Sequence, residues 1–188
     1  MKNIVVTGTS SGIGHQICIQ AAKMNFHVIS VSRNIEPLKD IGGIESFATD
    51  ITNKDSVDEF IANLKSRKIK IDILINNAGN AHGIDPVQTA SIDDWDAMID
   101  GNVKGLMYVT KAVLPNMVEV KKGQIINLGS IAGKEVYPNG SVYCSSKFAV
   151  DAFTSGLRID LNPYKIRVGA IHPGLVETEF SQVRFKGN

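Results

Sequence analysis

The chain of 188 residues has two cysteines, one tryptophan and six prolines. Cys18 and Cys144 stand far apart with no CxxC context, which argues against a disulfide scaffold or a zinc site. The histidines, His15, His27, His82 and His172, show no spacing suited to a metal, so no metal site is expected. A dominant charge is also missing. Twenty Lys and Arg against nineteen Asp and Glu leave +1, which excludes a strongly basic nucleic-acid footprint and an acidic tail. No apolar run approaches the roughly 18 residues that would span a bilayer. The start, Met1-Lys2-Asn3-Ile4-Val5-Val6-Thr7-Gly8, is interrupted by polar residues and glycine too early for a signal peptide. The expectation is a reduced, cytoplasmic protein without nucleic-acid or membrane partners. Hydrophobic residues at 43% and charged residues at 21% suit a single globular domain over 1–188.

What is present is glycine, seventeen in all, and a repeated alternation of short apolar runs with longer amphipathic stretches. The runs Ile4–Thr7, His27–Val31, Ile44–Ala48, Ile71–Ile75, Gln124–Leu128 and Arg167–Ile171 are mostly Val- and Ile-rich and nearly continuous in apolar character. That pattern predicts strands of a parallel sheet covered on both faces. Helices are predicted over Gly12–Met24, Asn53–Ser66, Ile92–Met117 and Ser141–Asn162. Asn53 is a candidate cap for the second, Ser91 or Asp93 for the third, and Pro163 helps stop the fourth. Alternating strands and helices with right-handed crossovers give an α/β fold, a doubly wound parallel sheet in three α/β/α layers.

Four motifs carry the chemistry. Thr7-Gly8-Thr9-Ser10-Ser11-Gly12-Ile13-Gly14 directly follows the first strand. Its GxxxGxG spacing permits a tight turn, close backbone approach and a helix N-terminus offered to a pyrophosphate. The second strand ends in Val31-Ser32-Arg33-Asn34. A carboxylate there would bind the ribose 2′-hydroxyl of NAD; Arg33 instead suits the 2′-phosphate of NADP. Asn76-Asn77-Ala78-Gly79 follows the fourth strand with small residues that admit a cofactor, and Asp50 ends the third strand where adenine is expected.

The fourth motif is Tyr143-Cys144-Ser145-Ser146-Lys147 within a helix. Residues i and i+4 share a face, so the phenol and the ammonium point the same way. A phenol with a reference pKa near 10 is a poor base at neutral pH, and a nearby cation lowers that pKa. Bringing it down by about 3 corresponds to about 4 kcal/mol. Ser130, at the end of the fifth strand, is a candidate to hydrogen-bond the substrate oxygen. Asn102, inside the third helix, is a candidate to hold a water that passes protons to Lys147. Cys144 points elsewhere than Tyr143, Trp95 reads as a packing residue, and His82 is a candidate for lining the cleft.

On Thr7-Gly8-xxx-Gly12-x-Gly14, Asn76-Asn77-Ala78-Gly79, Asn102, Ser130, Tyr143-xxx-Lys147 and Pro173-Gly174, the sequence resembles the short-chain dehydrogenase/reductase family over essentially its whole length. The resemblance implies a catalytic tetrad of Asn102, Ser130, Tyr143 and Lys147. It implies cofactor contacts from Gly8, Ser10, Ser11, Gly12, Ile13, Gly14, Ser32, Arg33, Asp50, Ile51, Asn77, Ala78, Gly79, Tyr143, Lys147, Pro173, Gly174, Val176 and Thr178. Within the family, the stretches from Gly174 to Gly187 and from Ile92 to Asp100 are similar to NADP-dependent 3-hydroxy acid dehydrogenases. That implies NADP/NADPH as cofactor and serine, allo-threonine or a related hydroxy acid as substrate. Ser130 and Tyr143 would touch the substrate, and Arg184 and Lys186 are candidates for its carboxylate. Other carbonyl reductases of the family, acting on 3-oxoacyl groups or on aldehydes and ketones, are an alternative, as is a non-catalytic NADPH-binding protein. The resemblance further implies a homodimer or homotetramer, and helices and a seventh strand beyond the last residues of this sequence.

Overall fold

The strands Asn3–Thr7 and His27–Ser32 are rich in β-branched side chains and buried on both faces almost throughout, which places them at the centre of a sheet. The computed structural model describes residues 1–180. Their elements run β1 (Asn3–Thr7), α1 (Gly12–Lys23), β2 (His27–Ser32), β3 (Ile44–Ala48), α2 (Lys54–Ser66), β4 (Ile73–Asn76), α3 (Ile92–Ile99), a π-helical segment (Asp100–Gly105), α4 (Leu106–Val120), β5 (Gly123–Leu128), α5 (Ser141–Leu161) and β6 (Ile166–Ile171). Short 3₁₀ turns at Ile131–Gly133 and Asn162–Tyr164 flank α5. All strand pairs are parallel, in the order β3-β2-β1-β4-β5-β6. The expected doubly wound α/β sheet is therefore observed. Its order reverses between β1 and β4, and ligands of such sheets bind at that switch, outside the carboxyl ends of the strands.

Alternation sorts the core. Val5, Ile29, Leu74 and Ile125 meet α2, α4 and α5 through Val57, Phe60, Leu64, Val109, Val113, Met117 and Leu157. Ile4, Val6, Val28 and Ile75 turn the other way, toward Cys18 and Ala21 of α1. Asn53 caps α2 as expected, its Oδ1 accepting from the Asp55 and Ser56 amides at 2.9 and 3.1 Å. Ser91 occupies the cap position of α3 without a side-chain bond, and Asp93 lies inside the helix.

Two expectations need correction. The fourth strand begins at Ile73 rather than Ile71, whose amide is taken by Asn116 Oδ1 at 3.0 Å. The single helix expected over Ile92–Met117 is three pieces, because Asp100–Gly105 winds as a π-helix, with glycines at both Gly101 and Gly105. A Cβ on Gly105 would lie 2.7 Å from Ile51 Cδ1, so this turn packs directly on the loop after β3. π-Segments inside helices often mark functional sites, and this one carries Asn102.

Candidate active site

The candidate cleft opens at the carboxyl ends of β1, β4 and β5. Gly8 adopts φ +69°, a conformation that L-residues rarely reach, and a Cβ there would sit 2.5 Å from Ala78 Cα. A Cβ on Gly14 would overlap Gly8 O and Asn77 Nδ2. The glycine loop is thus pressed onto the turn after β4. That turn is laced to it: Asn77 Nδ2 donates to Thr7 O and Gly8 O, both at 2.9 Å. Thr7 Oγ1 accepts from the Asn77 and Ala78 amides at 3.1 and 3.0 Å. Ser11 stands at the N-cap of α1 in extended conformation with no side-chain cap bond, which leaves the first-turn N–H groups, including that of Ile13, facing the cleft mouth. Ser10 is half-buried in the loop. Thr178 Cβ lies 3.6 Å from where a Gly12 Cβ would be, so the segment after β6 comes back over the glycine loop.

At the end of β2, Ser32 Oγ donates to Asn34 O at 2.7 Å. Arg33 is exposed beside it. Asp50 Oδ1 accepts from Thr52 N and Oγ1 at 2.9 and 2.8 Å, fixing a polar turn after β3, and Ile51 is buried behind it. Pro173 O receives the Ile131 amide at 3.1 Å, and Gly129 N donates to Ile171 O at 2.8 Å. The turns after β5 and β6 are joined in this way. Gly174 and Val176 are exposed beyond them.

The polar residues converge on Gly79. A Cβ there would lie 3.0 Å from Asn102 Oδ1 and 3.5 Å from Lys147 Nζ. Lys147 is 6% exposed. Its Nζ donates to Leu128 O at 3.1 Å and lies 5.8 Å from the centre of the Tyr143 ring. Burial lowers its pKa to about 8. The shared helix face of Tyr143 and Lys147 is thus observed. Ser130 Oγ accepts from the Ala132 amide at 3.1 Å. The 3₁₀ turn that follows packs on α5, where a Gly133 Cβ would meet Lys147 O at 2.7 Å.

Tyr143 lies on the wall of a small cleft, together with His82, Asp94, Trp95, Met98 and Val142. His82 lines this cleft as the sequence suggests, and half-buried Trp95 forms part of the same wall. Phe180 packs against Tyr143 with ring centres 6.1 Å apart. Arg184 and Lys186 lie outside the described residues. Cys144 is buried, away from the cleft.

Three partners were missed by sequence reasoning. Asn80 brackets Asn102: Asn80 N donates to Asn102 Oδ1 at 2.7 Å, and Asn102 Nδ2 donates to Asn80 O at 2.8 Å. Asn76 does not face the cleft. Its Nδ2 donates to Thr110 Oγ1 and to Asn127 Oδ1, both at 2.9 Å, and Asn127 Nδ2 donates to Thr154 Oγ1 at 2.8 Å. His172 Nδ1 lies 3.2 Å from Ser130 O, and its Nε2 lies 3.3 Å from Asp151 Oδ1. The repeated asparagines of Asn76-Asn77 are visible in the sequence, but not that the strand ends between them, which turns Asn76 into the interior and leaves Asn77 on the turn.

A family model described as short chain dehydrogenase matches residues 2–188. The chain is 44% identical over 191 residues to NADP-dependent 3-hydroxy acid dehydrogenase YdfG of Escherichia coli (strain K12), covering 98% of this chain and 77% of that one. An NADP-dependent 3-hydroxy acid dehydrogenase of Schizosaccharomyces pombe is 42% identical over 197 residues, covering 100% and 76%. The structure of the closed form of a serine dehydrogenase complexed with NADP+ superimposes with a TM-score of 0.95 at 43% identity, covering 99% of this chain and 77% of that one. On the extent of the family match and the identity to these relatives, the chain belongs to the short-chain dehydrogenase family.

Proposed function

We propose that the protein is an NADP-dependent oxidoreductase that interconverts a small 3-hydroxy acid, such as serine or allo-threonine, and its 3-oxo form. The observation that carries this reading is Tyr143 on the wall of a small cleft, with the ammonium of buried Lys147 5.8 Å from its ring centre. The residues fit the cofactor. Bare backbone at Gly8, Gly12 and Gly14, with the uncapped start of α1, suits a pyrophosphate. Exposed Arg33, with no carboxylate at positions 31–34, suits a 2′-phosphate. Asp50 and Ile51 would flank the adenine; Asn77, Ala78, Gly79, Pro173, Gly174, Val176 and Thr178 would border the nicotinamide half. NADP, when bound, supplies the hydride acceptor.

The chain's own residues handle the proton and the geometry. In oxidation the Tyr143 phenolate takes the hydroxyl proton, and in reduction the phenol returns it. Ser130 donates a hydrogen bond to the substrate oxygen as it gains carbonyl character. Lys147, still mostly charged at pH 7 with a pKa of about 8, favours the phenolate through its field. Both amide hydrogens of Asn102 are used, toward Asn80 O and Ser146 Oγ, while its Oδ1 accepts one bond, from Asn80 N. A relay water would therefore be held by an oxygen of this residue, Oδ1 or the main-chain carbonyl. Arg184 is assigned to the substrate carboxylate.

The same reading makes the chain one dinucleotide-binding domain of a cytoplasmic homodimer or homotetramer. An exposed stripe on α5, Ser145, Phe148, Ala152, Ser155 and Ile159, supports self-association. No helix among the described residues is long and apolar enough to cross a membrane.

The test is NADPH formation by purified protein with NADP and L-serine, beside L-allo-threonine, 3-hydroxypropionate and an NAD control. Turnover with NADP that disappears in Tyr143→Phe upholds the assignment. Turnover of acyl thioesters with none on any 3-hydroxy acid overturns the substrate. NADPH binding without turnover of any carbonyl overturns the catalytic role.

A further inference from the structure

Ser146 lies in the Tyr-to-Lys motif, yet the reaction gives it no task. It is fully buried. Its Oγ donates to Tyr143 O at 2.7 Å, which uses its one proton. Toward Asn102 it therefore acts as acceptor, receiving the amide Nδ2 at 3.0 Å. An amide nitrogen only donates, so the direction of both bonds is fixed.

The second amide hydrogen of Asn102 goes to Asn80 O, and its Oδ1 accepts from Asn80 N. The side chain thus joins three elements: the turn after β4, the π-segment and α5. The bonds to Asn80 hold it from one side; Ser146 holds it from the helix that carries Tyr143 and Lys147. Asn102 sits on loosened helical winding between two glycines, where regular helix bonds fix position less well. Clearances are small. Gly79 lies between Asn102 Oδ1 and Lys147 Nζ, where a Cβ would fit tightly, 3.0 Å from the first and 3.5 Å from the second.

We propose that Ser146 is a positioning residue: it sets where Asn102 stands relative to Lys147 and so aligns the proton relay. The proposal rests on the relay role given to Asn102 above. A serine that only back-bonds within its helix would be replaced by alanine at no cost, since such bonds slightly destabilise helices.

The experiment compares Ser146→Ala with Ser146→Thr, which keeps the hydroxyl. In Ser146→Ala, kcat on serine falls about tenfold and its solvent deuterium isotope effect rises, while the Kd for NADPH stays within twofold of wild type. Ser146→Thr recovers most of kcat. Hydrogen exchange of segment 100–105, read without substrate, rises several-fold in Ser146→Ala and stays low in Ser146→Thr. Wild-type kcat in Ser146→Ala, or unchanged exchange across 100–105, overturns the proposal. Equal loss in both variants does the same. The exchange readout needs no turnover, so a wild-type protein inert on serine defeats the substrate assignment separately and leaves the Ser146 result standing.

Discussion

The ammonium of Lys147 donates to the main-chain carbonyl of Leu128 at 3.1 Å, at the residue where β5 ends. One strand end therefore anchors the buried cation and, two residues later, presents Ser130. The helix turn above it presents Tyr143. Chemistry gathered from separate elements is held together by a bond to backbone, which no side-chain substitution can delete directly.

Burying that cation costs stability. Its pKa is about 8 in the folded chain, against about 10.4 when unfolded. Between those values the unfolded chain binds more protons, so this group's contribution to stability rises with pH across pH 8–10 and is flat below 8. Lys147→Met is expected to gain about 1–3 kcal/mol at pH 7 while abolishing turnover, and to lose the rise between pH 8 and 10. Urea unfolding at pH 7, 8, 9 and 10 measures both; parallel profiles for variant and wild type would refute the buried-charge account.

Tyr143→Phe removes only an oxygen, and the ring keeps its packing against Phe180. Turnover is expected to drop by roughly 10²–10⁴-fold, the usual weight of a general acid–base group. NADPH should still bind, so the loss falls on kcat. A variant keeping a tenth of wild-type kcat would move the base elsewhere.

The glycines separate by what surrounds them. Gly14→Ala places a methyl group onto Gly8 O and Asn77 Nδ2, prising the loop from the turn after β4. It is expected to cost about 2–4 kcal/mol and to weaken NADPH binding more than tenfold. Gly156, within α5, has open space around its Cβ position. Gly156→Ala should stabilise by about 1 kcal/mol through helix propensity alone. Thermal melts of both variants decide; similar shifts would mean that close packing of the loop is not what requires glycine.

The sheet was legible because its residues state it locally. Val- and Ile-rich runs give strands, and the glycine loop gives the first turn. The Tyr143–Lys147 face follows from helical spacing alone. The π-segment was not legible: Asp100-Gly101-Asn102-Val103 keeps an apolar rhythm that an ordinary helix would share, and the changed winding depends on packing against Ile51 and on the bonds to Asn80. The direction of Asn76 is hidden for a related reason. Its motif names the turn, but its direction is set by register with Asn127, its neighbour on β5.

That register makes a testable buried network. Asn127 accepts from Asn76 and donates to Thr154, fully enclosed beneath the cleft. Asn127→Ala strands a donor on Asn76 and an acceptor site on Thr154, and leaves a void. The expected cost is about 2–4 kcal/mol. Asn127→Ala with Asn76→Ala should cost less than the sum of the two single variants, because the second removes the stranded donor. Strict additivity in urea titrations would mean the two amides act independently.

Cofactor preference is the sharpest contrast, because one exposed side chain is asked to supply it. Arg33 stands at the end of β2, where Ser32 is tied back to Asn34 O. A guanidinium there meets a phosphate with two parallel bonds and permanent charge, whereas a ribose hydroxyl gains little from it. Arg33→Ala is therefore expected to weaken NADPH binding by about 10- to 50-fold and to leave NADH binding within about threefold. Because the contact is solvent-exposed, raising salt should erode the wild-type preference and leave the variant's nearly unchanged. Titrating the quenching of protein fluorescence by each nucleotide at two salt concentrations reads all four quantities. An equal loss for both nucleotides would assign Arg33 to the shared pyrophosphate and leave the 2′-phosphate without its partner.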